Sequence, residues 1–311
     1  MISNSSRPSP KQRRSRLFSI SQNGQIEVTV APFGTNSAPD KTRFMILSVQ
    51  ARASYDLPAQ TFVLLQVEPA LQGAYHRVLD ESLQTTPTPR TELWNDLYQN
   101  PQRRFIAPKG PFSFDFKARI ECQPNVPLPL DAPELSPEQI PAECMIYTLP
   151  SRYCQSDRLT KMAMSEFGYM TPGGSRVSAI ANWINGKVTY QYGTSDAMTD
   201  AFDTATSREG VCRDFAHLLI AFCRALGIPA RYVSGYCLDL QPPDFHAWVQ
   251  VFLGDGNNGG AWHNVDATFN GIRPALVPIA FGRDAADVAM TTFFGQGNLH
   301  EQVVSVQKES D

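Results

Sequence analysis

The sequence predicts an α+β fold in two parts: an all-β sandwich domain over residues 21–124 and, past a proline-rich linker at 125–150, a domain of helices packed on an antiparallel sheet over 151–311. Three observations carry this reading. Apolar alternations of strand length fill the chain from Ile26 to Cys122; the stretch after them, QPNVPLPLDAPELSPEQIPAE, is dense in proline; and beyond Pro150 the apolar spacing changes from two to three and four. A chain of 311 residues, 42% apolar and 18% charged, holds material for two domains of ordinary size, roughly 100–200 residues each.

The strands come first. IEVTV, RFMILSV, TFVLLQVEP and FSFDFKARIEC are short, rich in Val, Ile and Phe, and bounded by turn residues. Strands of this kind without helices between them close most simply as two packed antiparallel sheets. In the proline-rich stretch each ring removes a backbone donor and biases its predecessor toward extended conformations, so a linker follows. VSAIANWINGKV then places Val177, Ile180, Ala181 and Ile184 on one helical face. A second helix is expected near Asp196 to Thr206. The third runs from Cys212 through Phe215, Leu219, Phe222 and Leu226, one apolar stripe ended by Gly227 and Pro229 in stop positions. Last, ARYVSGYC, HAWVQVFLG and AWHNVDATFN read as strands, with GDGNNGG as the turn between the final two.

Composition excludes several classes of function. A net charge of -3 gives no electrostatic reason to hold nucleic acid or an anionic membrane. The six cysteines, at 122, 144, 154, 212, 223 and 237, include no CxxC pair and lack the density of a disulfide-stapled secreted domain, which fits a reducing compartment. Residues 1–20, MISNSSRPSPKQRRSRLFSI, form a basic tail expected to be disordered, with no apolar run suited to a signal peptide; no later stretch suits a bilayer span. A soluble cytoplasmic protein is the expectation, with an organelle transit peptide as the minor reading of that tail. No repeat, heptad run or phosphate-binding glycine loop is present, and GDGNNGG lacks the downstream glutamate of a calcium loop, so no cofactor is implied.

One thiol stands apart by position. Cys212 falls where the third helix begins, and a helix N-terminus offers unpaired N–H groups and the positive end of the dipole, which favour a thiolate. The same N–H groups suit the oxyanion of a tetrahedral intermediate in acyl transfer. A nucleophile needs a base, and the base needs a third group to fix its tautomer. His246 opens one strand and Asp266 lies late in the next. Counted from Asn257 in the turn they stand eleven residues before and nine after, cross-strand neighbours if the turn is slightly asymmetric. Cys223 in mid-helix reads as a small core hydrophobe and His217 as a core histidine, while His263 lies on the strand face opposite Asp266. One of Trp183, Tyr190 or Tyr192 is the candidate for a second oxyanion donor.

GVCRDFAHLLIAFCRALGIPARYVSGY, followed by FHAWVQVFL and WHNVDATFN, resembles the core motif of the bacterial transglutaminase-like superfamily. YDLPAQTFVLLQV, DLYQNPQRRF, LPSRYC and FGRDAADV, the last with Arg283 and Asp287, extend the likeness over nearly the whole chain. The resemblance implies a papain-like core with the cysteine on a helix and the other two residues on the sheet, an amino-terminal β-domain, and a catalytic Cys212, His246 and Asp266. It also implies a protein or peptide substrate attacked at a glutamine or other amide bond through a thioester. Water resolving that thioester makes a peptidase or amidase, and an amine makes a transglutaminase. The family includes both, and hydrolysis is favoured for a bacterial-looking intracellular member. Two departures stand out: Arg213 where members often have Gln, which sets an extra cation beside the nucleophile, and Ala267 where they often have Pro. Two competing readings are a zinc site, for which no short-spaced ligand pair exists, and a non-catalytic module whose β-domain grips a protein partner.

Overall fold

The structure, a computed structural model, describes residues 44–70, 76–256, 259–269 and 271–309, with two short strands before them. The chain divides into two compact units, Met1–Thr42 and Arg43–Asp311. The first contributes an antiparallel pair, β1 (Ser19–Ile20) and β2 (Ile26–Glu27). The rest of the expected basic tail and of IEVTV lies outside the described residues. In the second unit the strands β3 (Met45–Leu57), β4 (Thr61–Leu65), β5 (His76–Thr86), β6 (Glu92–Asn95), β7 (Pro101–Ala107) and β8 (Gly110–Cys122) come first. Then follow α1 (Ser156–Phe167), α2 (Gly174–Lys187), β9 (Thr189–Tyr190), α3 (Ala201–Ser207), β10 (Glu209–Gly210) and α4 (Cys212–Ala225). The chain ends with β11 (Ala230–Cys237), β12 (His246–Gly254), β13 (Gly260–Val265), β14 (Leu276–Gly282), β15 (Thr291–Phe294) and β16 (Asn298–Lys308).

The α+β class read from the sequence is the observed one. Two four-stranded sheets, ordered β16-β3-β8-β5 and β15-β4-β7-β6, form the sandwich. Period two decides what they bury: Leu47, Val49, Ala51, Ala53, Tyr55 and Leu57 of β3 all face inward, as do Phe112, Phe114 and Phe116 of β8. The Phe112 ring meets Phe105 of the other sheet at 5.5 Å between centroids. Each aromatic buried this way contributes about 1.5–3 kcal/mol of transfer free energy.

The domain expected over 151–311 does not keep its last strands. β15 pairs with β4 (Thr291↔Leu65) and β16 with β3 (Val306↔Val49), so residues 291–308 complete the sandwich. The physical reason is edge closure: without them β3 and β4 would present rows of unpaired donors and acceptors. The sandwich is tied to the second half through Asn100, fully buried, whose side-chain amide donates to Phe281 O and accepts from Phe281 N–H, both at 2.8 Å.

The second half sets α1, α2 and α3 around α4 and lays α4 on the sheet β13-β12-β11-β14. Val177, Ile180, Ala181 and Ile184 are buried on α2 as their spacing requires. The helix expected near Asp196 begins only at Ala201, because the Asp200 side chain caps it by accepting from Phe202 N–H and Asp203 N–H. The Asp196 carboxylate instead accepts from Met198 N–H and Thr199 N–H in a turn. The proline-rich segment is an ordered strap. Ala132 O accepts from Gly174 N–H and Pro133 O from Gly254 N–H, while Glu134 takes a bidentate ion pair from the buried Arg176. Residue 174 must be glycine, since a Cβ there would stand 1.9 Å from Pro129 O.

Candidate active site

α4 starts from Val211 in an extended conformation, and the Asp214 carboxylate accepts from Val211 N–H at 2.8 Å. The N–H groups of Asp214 and Phe215 both return to Val211 O. Cys212 is the first helical residue, half-buried, with its own N–H at the positive end of the helix. Arg213 does not turn its cation to the thiol. Its guanidinium pairs with Asp214, which is fully buried, and lies over the Tyr153 ring.

Of the three aromatics considered as oxyanion donors, Trp183 is committed elsewhere: its indole N–H donates to Glu166 at 3.0 Å. Tyr190 stands beside Cys212, because the parallel pair β9–β10 sets it opposite Gly210. Burial, and then the charge of the Cys212 thiol when ionised, push its phenol up. Tyr192 packs edge-on against Tyr190 at 5.6 Å.

His246 opens β12 directly opposite Gly235 of β11. Glycine at 235 is a packing requirement: a Cβ would lie 2.3 Å from Val277 O and 2.6 Å from the Trp248 ring. Trp248, fully buried, thereby lies across the strand with its N–H donated to Asn264 at 3.0 Å and stacks beside the imidazole at 6.2 Å. The β12–β13 ladder runs from Gly254↔Gly260 to Val249↔Val265. It is therefore symmetric about residue 257, where slight asymmetry was expected, and Asp266 is not directly opposite His246. The chain makes up the difference by a turn in which Thr268 N–H and Oγ1–H donate to Asp266 Oδ1 at 2.9 and 2.6 Å. Oδ2 is then presented to His246 Nε2 at 2.7 Å.

With Nε2 taken by Asp266, only Nδ1 remains for the thiol; it is buried without a hydrogen-bond partner. Burial alone pushes the imidazole down, but the hydrogen bond to Asp266 and the negative charges of Asp266 and of an ionised Cys212 outweigh it and hold its pKa up at about 9. Burial likewise pushes the Asp266 carboxyl up, and the His246 hydrogen bond and charge, with Thr268, bring it to about 2. The raised histidine stabilises the fold fully below its unfolded pKa and loses that contribution as pH rises through about 9. The depressed aspartate stabilises above its unfolded pKa and loses its contribution as pH falls through about 2. Both shifts share the His246–Asp266 contact, so that contact counts once, on the order of 2–3 kcal/mol. The expected result is that His246→Ala lowers the urea midpoint near pH 6 and that the gap to wild type narrows at pH 10. A gap independent of pH would contradict the assignment.

The sequence did not point to Arg273. Its Nε–H donates to Asp266 Oδ2 at 3.1 Å, and its guanidinium lies 4.2 Å from the Phe269 ring centroid. A lone arginine in a loop gives no sequence signal; only the fold brings it to the carboxylate.

Residues 161–267 match the family model of the transglutaminase-like superfamily, a span that contains Cys212, His246 and Asp266. The crystal structure of a candidate cysteine protease from Cytophaga hutchinsonii is 36% identical in sequence, covers 86% of this chain and 92% of that one, and superposes with a TM-score of 0.79. An uncharacterized protein of Mycobacterium leprae is 36% identical over 125 residues, 36% of this chain and 42% of that protein. One of Mycobacterium tuberculosis is 34% identical over 137 residues, 41% of this chain and 44% of that protein. The matches thus span under half the length of these mycobacterial relatives. Among the described residues no helix is long and apolar enough to cross a membrane. With its core matched to the family model and a 36% identical relative aligned over most of both chains, the chain belongs to the transglutaminase-like superfamily.

Proposed function

We propose that the protein is a cysteine hydrolase of amide bonds in protein or peptide substrates, with Cys212 as nucleophile, His246 as proton carrier and Asp266 as the carboxylate that orients it. The observation that carries this reading is the 2.7 Å bond between His246 Nε2 and Asp266 Oδ2, which keeps a proton on Nε2 and leaves Nδ1 to the thiol at the start of α4. The Cys212 thiolate attacks the carbonyl carbon, and the resulting oxyanion is met by the N–H groups at the helix start. As the C–N bond breaks, the imidazolium gives its Nδ1 proton to the departing amine and a thioester remains. Water then loses a proton to Nδ1 and adds to the thioester carbonyl; collapse releases the acid and restores the thiolate.

Hydrolysis is preferred to transamidation because the relative that aligns over most of this chain bears the name of a cysteine protease. The six cysteines are free thiols, which supports a reducing, cytoplasmic setting. The test offers unfolded casein as a pooled amide donor in ¹⁸O-water with dansylcadaverine present. Mass spectrometry is expected to find ¹⁸O in new carboxyl groups at Cys212-dependent sites; dansyl adducts far outrunning ¹⁸O would make the protein a transglutaminase, and neither product would remove the enzymatic reading.

A further inference from the structure

Asp266 accepts hydrogen bonds on both oxygens: from Thr268 N–H and Oγ1–H on Oδ1, and from His246 Nε2–H and Arg273 Nε–H on Oδ2. That fills the roughly four lone-pair positions a carboxylate offers. The Arg273 side chain is only 10% exposed, against 1% for His246 and 6% for Asp266, so the three form one buried group. The guanidinium is held from its other side by the Phe269 ring and reaches Thr268 Oγ1 at 3.5 Å.

Charge counting gives Arg273 a task. In the ion-pair state the thiolate is negative, the imidazolium positive and the carboxylate negative, leaving one uncompensated negative charge at a site where His246 and Asp266 are buried. Arg273 brings the sum to zero. Among the described residues the other groups near this cluster, Arg213 aside, are neutral or acidic: Tyr190 on β9, Tyr232 and Cys237 on β11, and Asp239 just beyond it. Arg213, the remaining nearby cation on α4, is paired to Asp214. Removing a positive charge from such a site raises the proton affinity of every group in it.

We infer that Arg273 is a positioning and charge-balancing residue of the acyl-transfer site: by sharing Asp266 Oδ2 with His246 it keeps the carboxylate from over-stabilising the imidazolium and holds the thiolate–imidazolium pair electrically neutral as a group. This inference rests on the Cys212–His246 reading above. Without Arg273 the thiol ionises at higher pH and the imidazolium becomes a weaker acid toward the departing amine. Both limbs of the pH–rate profile therefore move in the same direction, upward.

The test measures Cys212 carbamidomethylation by iodoacetamide against pH in the full chain, read by mass spectrometry of the Cys212 peptide. Arg273→Gln, which removes the charge, is expected to move the acid-side midpoint up by about 0.5–1 unit, and Arg273→Lys, which keeps it, to stay near wild type. Phe269→Ala provides a second handle at a residue 42% exposed: it loosens the guanidinium while leaving its charge, and is expected to shift the midpoint in the same direction by less. Its reading does not depend on Arg273→Gln folding. Equal losses of reactivity or stability in Arg273→Gln and Arg273→Lys with unmoved midpoints would show a structural role only and overturn the inference. If wild type reacts like an ordinary thiol, unaffected by His246→Ala, the acyl-transfer reading fails and this one with it. If wild type is activated and neither Arg273→Gln nor Phe269→Ala shifts the midpoint, this inference alone fails.

Discussion

On the proposed mechanism Asp266→Asn is expected to lower kcat/KM for amide cleavage by about 10³–10⁴-fold, because the group proposed to fix the imidazole tautomer is gone while Cys212 and His246 remain. The substitution is nearly isosteric, so the effect is chemical. Asp266 receives donors on both oxygens. An asparagine has one acceptor oxygen, and its NH₂ must face either the Thr268 pair or the His246–Arg273 pair, donor against donor. Whichever way it lies, Arg273 loses its carboxylate while remaining 9% exposed. A buried charge left unpaired costs about 3 kcal/mol, which urea unfolding would read as a lowered midpoint. Asp266→Asn retaining activity within about tenfold of wild type would mean that the 2.7 Å contact to His246 serves the fold and not the reaction.

His246→Ala is expected to lower turnover by roughly 10²–10⁴-fold, the usual range for a positioned acid–base group. The double variant His246→Ala/Asp266→Asn is no slower than His246→Ala alone, since an aspartate with no imidazole to orient has nothing left to contribute. Progress curves on the same unfolded casein, followed by ¹⁸O uptake, decide this. Multiplying losses in the double variant would mean that Asp266 acts on substrate directly.

Much of this architecture was legible in the sequence, and the gaps have physical causes. The α4 stripe is readable because Phe215, Leu219 and Phe222 recur at helical spacing, and all three are buried, Phe222 against Phe167 of α1 and Trp183 of α2. α1 escapes the sequence reading: Leu159, Ala163 and Phe167 recur every fourth residue, but apart from Met162 and Met164 the other positions are polar or charged, and its burial comes from packing on α4. β5 was missed because it is an edge strand with Arg77, Asp80 and Glu81 in solvent, so no face is uniformly apolar. The return of β15 and β16 to the sandwich could not be read at all, since alternation tells that a residue is in a strand and not which strand it joins. At the site, the triad candidates followed from element ends, whereas Gly235 and Arg273 owe their places to contacts made across the fold: Gly235 yields to the Trp248 ring, and Arg273 reaches Asp266 across a loop.

The central claim is that His246 activates Cys212, and the most direct measurement is the rate of Cys212 carbamidomethylation at pH 6 in wild type and His246→Ala, read on the Cys212 peptide by mass spectrometry. Ordinary thiols, with a pKa of about 8.5, are almost wholly protonated there and react slowly. The account predicts fast labelling in wild type, lost in His246→Ala, while buried Cys223 stays unlabelled in both. Equal and slow labelling of Cys212 in the two proteins would contradict it.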